Sequence, residues 1–224
     1  MNSVKEKPFF LSSVGKKYLM AFSGIIWAGF ILTHMAGNML IFVSPEAYNA
    51  YGHAITSGLI IYPVEFLLVG TLLLHVFLAI KVTLENRKAR GHRYAMTPNG
   101  SKGSSLASRF MAVQGSIVLV FIILHITTFK YGIYYETTVN GVVVRDLARL
   151  MREVFAQPGY VVWYLISLVL LWFHLSHGFG SVFQSLGIRN DRYAPAIHKL
   201  SLAYATVVIA GFISQPLFIF LNNR

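Results

Sequence analysis

Apolar residues gather along this chain in five long runs: Tyr18 to Val43, Ile60 to Leu84, Leu106 to Tyr131, Tyr160 to Leu186, and about Leu200 to Leu221. Each is long enough to cross a hydrocarbon layer of about 30 Å at about 1.5 Å per residue. None shows the strict alternation of a barrel strand. The pattern predicts an all-α membrane protein, one five-helix domain covering residues 1–224. The first run follows Lys16 and Lys17, exceeds the length of a signal-peptide core and lacks a small-residue cleavage site, so it is expected to persist as a helix. Between Gly91 and Ser105 the residues turn to Gly, Ser, Asn and Pro, the composition of a loop. Val139-Asn140-Gly141-Val142 reads as a hairpin turn. Beyond it, Leu147, Leu150, Met151, Val154 and Phe155 recur at helical spacing with Arg149, Arg152 and Glu153 between them. That predicts an amphipathic helix at about 145–157, lying on the membrane surface or closing the bundle as a lid.

Composition removes several classes of function. Only 12% of residues are charged, half the usual share of a soluble domain at about 25%, and mean hydropathy is +0.59. The spans leave no room for a sizeable soluble domain. The absence of cysteine excludes disulfides, thiolate metal sites, Cys-ligated clusters and covalent haem attachment in this chain. A net charge of +11 would suit nucleic acid in a soluble protein; here it reports orientation, and no nucleic-acid partner is expected. Thirteen cations fall on one side of the spans: Lys5, Lys7, Lys16, Lys17, Arg87, Lys88, Arg90, Arg93, Lys102, Arg109, Arg189, Arg192 and Lys199. Five fall on the other: Lys130, Arg145, Arg149, Arg152 and Arg224. The asymmetry predicts a cytoplasmic N-terminus and an outer C-terminus.

Four of the apolar runs carry histidine: His34, His75, His125, and His174 with His177. Ionisable side chains at membrane depth are rare and tend to mark a site. Counting from the flanking cations, His34 and His125 both lie about 25 Å from the inner surface, while His75 and either His174 or His177 lie nearer the inside. Pairing by depth gives His34 with His125, and His75 with His174 or His177. Two facing pairs at two levels suit two six-coordinate b haems stacked across the membrane. Gly29, Gly37, Gly70, Gly178 and Gly180 flank these histidines and could admit a flat macrocycle, or serve helix packing.

Several segments carry a more specific pattern: Ser13-Val14-Gly15-Lys16-Lys17 leading to Ala21, Gly24 and Thr33-His34; His75 followed by Asn86-Arg87 and Ala89-Arg90; His125 followed by Phe129-Lys130; and His174-Leu175-Ser176-His177-Gly178 followed by Ser181, Gln184 and Gly187. In these, over nearly its whole length, the chain resembles the single-chain, five-helix dihaem cytochrome b subunit of succinate dehydrogenases and fumarate reductases. The resemblance implies that His75 and His174 ligate an inner, proximal haem, with His177 the runner-up, and that His34 and His125 ligate an outer, distal one. It implies a subunit of succinate:quinone oxidoreductase that binds no dicarboxylate itself. Its partners would be a flavoprotein carrying FAD and an iron–sulfur subunit, docked on the cytoplasmic face of a bacterial inner membrane. Electrons would pass between the iron–sulfur subunit and a membrane quinone; the family subtype implies menaquinone. The family's proposed proton-exchanging glutamate stands at a different spacing from its haem histidine than Glu65 does, so Glu65 is a quinone-site candidate by location. His53, Tyr48 and Tyr51 in the preceding outer connection are the others.

Two other readings share this composition. A His-lined ion or metal transporter requires acidic residues in the core and broken helices, and only Glu65 qualifies. A structural anchor would dock a peripheral enzyme without haem.

Overall fold

Helix starts in this chain are set by side chains that satisfy the first free backbone N–H groups. Ser12 accepts from the Gly15 amide at 3.0 Å and opens α1, Ser13–Asn38. A 3₁₀ turn, Met39–Phe42, follows. Ser44 accepts from the Ala47 amide at 3.1 Å, with Pro45 at the first helical position, and opens α2, Pro45–Thr56. Then come α3, Ile61–Arg90, and α4, Met111–Phe129. Next is the hairpin of β1, Glu136–Val139, and β2, Val142–Arg145. Asp146 accepts from the Arg149 amide at 2.9 Å and opens α5, Leu147–Phe155. The last two helices are α6, Pro158–Ser185, and α7, Ala194–Asn222. This computed structural model describes residues 8–9, 12–90 and 110–222. The loop expected between Gly91 and Ser105 and the cations Lys5, Lys7, Arg93, Lys102, Arg109 and Arg224 lie outside the described residues, as does the side chain of Arg90.

Five helices, α1, α3, α4, α6 and α7, are long and apolar enough to cross a membrane. Side-chain pairs fix their alternation. Lys16 at the start of α1 meets Glu85 near the end of α3, and Glu65 near the start of α3 meets Lys130 just beyond α4. Phe42, just beyond α1, meets Phe218 near the end of α7. The outward faces are apolar: Phe66, Leu73 and Phe77 of α3 are each more than half exposed. In water such a surface is a liability; in lipid it is the normal exterior of a multi-pass membrane protein.

The helices pack unevenly. α6 and α7 lie closest together, and α1 packs on both. Tyr204 of α7 donates to the Ala28 carbonyl of α1 at 2.5 Å. At Gly211 of α7 a Cβ would fall 2.8 Å from Met35 Cγ, so glycine permits this approach. α3 leans on α1, α4 leans on α6, and α3 scarcely meets α4.

The end carrying the hairpin is capped. Asn140 and Gly141 turn the hairpin with φ of 50° and 80°, the left-handed backbone that a two-residue turn of this kind requires. Leu150, Met151, Val154 and Phe155 of α5 are buried against Ile41, Val161, Tyr164 and Ile219, each contributing roughly 1.5–3 kcal/mol of burial. The amphipathic helix therefore lies with its apolar face on the bundle as a lid. α2, which hydropathy alone does not reveal, holds that lid. Asn49, 2% exposed, donates to Asp146 at 2.8 Å and accepts from the Ala148 amide at 2.9 Å.

At the opposite end, Lys16 Nζ lies 2.5 and 2.6 Å from the two Glu85 oxygens, with side-chain exposures of 7% and 46%. Glu85→Gln leaves a buried lysine charge with its carboxylate gone, whereas Lys16→Met leaves a glutamate that still reaches water. Thermal unfolding in detergent is expected to show a larger loss of midpoint temperature for Glu85→Gln. Equal or reversed losses would contradict this account of the pair.

Candidate cofactor site between four helices

His34, His75, His125 and His174 stand on α1, α3, α4 and α6. These helices form a square in the order α3, α1, α6, α4, open along its α3–α4 side. Each histidine pair crosses a diagonal of that square, joining helices whose backbones otherwise hardly meet. The rings of His34 and His125 have centroids 5.8 Å apart at an interplanar angle of 84°, and those of His75 and His174 are 6.3 Å apart at 59°. Ser23 of α1 touches His75 while His34 of α1 meets His125. Eleven residues of helix therefore separate the two levels, about 16 Å at about 1.5 Å per residue. His174, rather than His177, is the ring that meets His75. His177 lies one turn further along with Nε2 3.3 Å from Ser181 Oγ.

The rings are held by neighbours that sequence reasoning does not supply. Ser23 Oγ lies 3.1 Å from His75 Nδ1, and Tyr164 Oη lies 3.1 Å from His125 Nδ1. Asn38 donates to the His34 carbonyl at 2.7 Å, and its Nδ2 stands 3.4 Å from both ring nitrogens of His34. His174 Nδ1 is buried with no hydrogen-bond partner among the described residues. The one sequence signal for Ser23 and Asn38 is a polar residue inside an apolar run; for Tyr164 there is none.

The glycines divide. Beside the His75–His174 pair, a Cβ at Gly24 would come to 3.9 Å from His75 Cε1, and one at Gly115 to 3.4 Å from His174 Cε1. Gly29, Gly70 and Gly178 face space open to at least 4 Å. Gly37 receives the Tyr51 ring, and a Cβ at Gly180 would lie 3.1 Å from Ser201 Oγ. Of the two roles open to them, those last two serve packing.

Among the described residues no three His, Asp or Glu side chains cluster as a metal cage. Each level offers two imidazoles alone. Two imidazoles cannot complete a four-ligand protein site of the zinc type. They can be the two axial donors of a metal whose other ligands come from a flat macrocycle. Bonds of about 2 Å on either side of such a metal place the ring centres about 6 Å apart.

The quinone-site candidates are engaged with different neighbours. Glu65 pairs with Lys130 where the capped ends of α3 and α4 face each other. Tyr48 donates to Asn38 Oδ1 at 2.8 Å, and Tyr51 lies against Gly37. His53 is half-buried in the last turn of α2. Burial pushes the Tyr48 hydroxyl well above its usual range, so it stays a neutral donor. Through Asn38 it is joined to the neighbourhood of His34.

Comparison of the chain with protein-family models, with curated proteins and with solved structures gives no match.

Tyr48→Phe leaves Asn38 Oδ1 without its donor in a buried setting, a loss of about 1–3 kcal/mol. Thermal unfolding in detergent is expected to register it, while Tyr51→Phe, which removes no hydrogen bond seen in the structure, changes little. Equal effects from the two variants would show that the Tyr48–Asn38 bond does not matter.

Proposed function

We propose that this chain is the membrane-anchor cytochrome b subunit of a succinate:quinone oxidoreductase. The observation that carries the reading is that four histidines from four spans meet in twos, across diagonals, at two levels. His75 and His174 would hold one b haem, and His34 and His125 a second. The fit rests on three features: ring-centre distances near those of a doubly ligated metal, the buried unpartnered Nδ1 of His174, and glycines beside the inner rings where a side chain would fill the space. Bound there, a b haem supplies a one-electron carrier whose potential follows its axial ligands, their hydrogen bonds and their burial.

The chain's own residues do the positioning. Ser23, Asn38 and Tyr164 restrain imidazole planes from behind. The apolar walls of α1, α6 and α7 exclude water, and the α5 lid closes the end nearest His34 and His125. Succinate and fumarate chemistry belongs to a flavoprotein with FAD and an iron–sulfur subunit. The basic stretch beginning at Arg87 and Lys88 supports docking at the end opposite the lid, which charge asymmetry makes the cytoplasmic side of a bacterial membrane in this reading. Quinone, menaquinone by the family subtype, would exchange electrons and protons at the lid end. The half-exposed Glu65–Lys130 pair and His53 are the proton-exchanging candidates there.

The test is haem content. The purified protein is expected to carry two b haems per chain with low-spin absorption bands. His75→Ala or His34→Ala is expected to lose one haem and keep the other, and His177→Ala to keep both. A wild-type protein that binds no haem under any condition of assembly sinks the reading in favour of an anchor or an ion carrier.

A further inference from the structure

The four histidines differ in what their hydrogen bonds determine. Ser23 is fully buried on α1 and lies between two partners. Its Oγ is 2.9 Å from the Met20 carbonyl, which can only accept, and 3.1 Å from His75 Nδ1. A hydroxyl has one hydrogen. Donated to Met20, it leaves the serine oxygen with lone pairs alone to offer His75, so Nδ1 must be the donor. A neutral imidazole that carries its hydrogen on Nδ1 keeps a bare lone pair on Nε2. Gly24, the next residue on α1, leaves the Cε1 edge of that ring uncovered by any side chain of its own.

The other three rings are not fixed this way. Tyr164 Oη can donate to or accept from His125 Nδ1, the Asn38 amide is equally far from both His34 nitrogens, and His174 Nδ1 has no partner. We infer that Ser23 is a positioning residue for His75: it locks the Nδ1–H tautomer, so that Nε2 is presented to a metal centre before any metal is bound. The inference rests on the haem reading of His75 for its purpose, but the tautomer is a property of the chain alone. Backing the ligand's N–H with an acceptor also fixes the ring plane and raises its basicity toward the metal.

The experiment uses the full chain in detergent with ¹⁵N-labelled histidine, both haem-free and haem-loaded, in wild type and in Ser23→Val, Ser23→Thr and Ser23→Ala. Valine and threonine have the same shape and differ by the hydroxyl. In haem-free wild type the His75 nitrogens are expected to report hydrogen on Nδ1. Ser23→Val is expected to shift toward a tautomer mixture and Ser23→Thr to retain the wild-type signal; Ser23→Ala serves if the branched variants do not fold. In loaded protein, Ser23→Val is expected to shift the electron paramagnetic resonance g-values and midpoint potential of one haem and leave the other unmoved, with Ser23→Thr restoring both. Hydrogen on Nε2 of His75 in haem-free wild type overturns the inference, as does a loaded Ser23→Val protein (or Ser23→Ala in its place) whose two haem signals are unchanged. A wild-type protein that never binds haem yet shows the Nδ1–H tautomer fails the proposed function while leaving the tautomer lock standing.

Discussion

An imidazole in hydrocarbon needs a partner, and that need organises this molecule. A buried polar group without a hydrogen bond or a metal costs on the order of a few kcal/mol, and lipid offers neither. Four spans each accept one such group, and each group is turned toward the interior of the helix square rather than toward lipid. Because the pairs lie on diagonals, α1 is tied to α4 and α3 to α6, helices that make almost no other contact. The arrangement leaves α3 and α4 apart along one side, where ordinary helix packing would close the gap. A bundle designed only to anchor would gain packing by closing it.

The two ends of the square are treated differently. At the capped end, α2 and α5 form a cross-braced roof, with Asn49 bonded to both the side chain that caps α5 and the Ala148 amide. That roof covers Tyr164 and, through it, His125: Phe155 packs edge-on against the Tyr164 ring with centroids 4.9 Å apart. Tyr135 donates to Glu153, and Arg149 pairs with the same carboxylate, tying the residue that precedes the hairpin to the lid. These two hydrogen bonds hold the Glu153 carboxyl below its ordinary range, the tyrosine contributing most. At the other end a buried lysine and a half-exposed glutamate pin α1 to α3, about 15 Å beyond His75 along α3. Water is thus kept from the His34–His125 pair by a folded cap, and the His75–His174 pair is backed by a serine.

The five spans were legible because twenty or more apolar residues in a row leave few alternatives. The hairpin was legible because Asn140-Gly141 suits a turn that most residues resist. The four histidines stood out as polar residues at depth, and the flanking cations alone sorted them into two levels, the same levels at which the rings meet. What a single sequence does not carry is the rotation of one helix against another. Ser23, Asn38 and Tyr164 owe their importance to that rotation, as does the choice of Lys130 as the neighbour of Glu65. α2 escaped notice because its residues are too polar for a span; its one local sign is Ser44-Pro45-Glu46, a serine cap followed by proline and an acidic first turn. Gly37 and Gly180 show the limit of reasoning from proximity in sequence: both flank a histidine, and both face a side chain of another helix instead.

The central claim is that the interior of the square holds a flat group gripped from both sides at each level. A cryo-electron microscopy map of the protein purified from its native membrane, at side-chain resolution, tests it most directly. The account predicts one planar density between His75 and His174 and a second, about 16 Å away along α1, between His34 and His125, each in line with a ring nitrogen on either face. Histidine rings packed directly on one another, with nothing between them at either level, would contradict it.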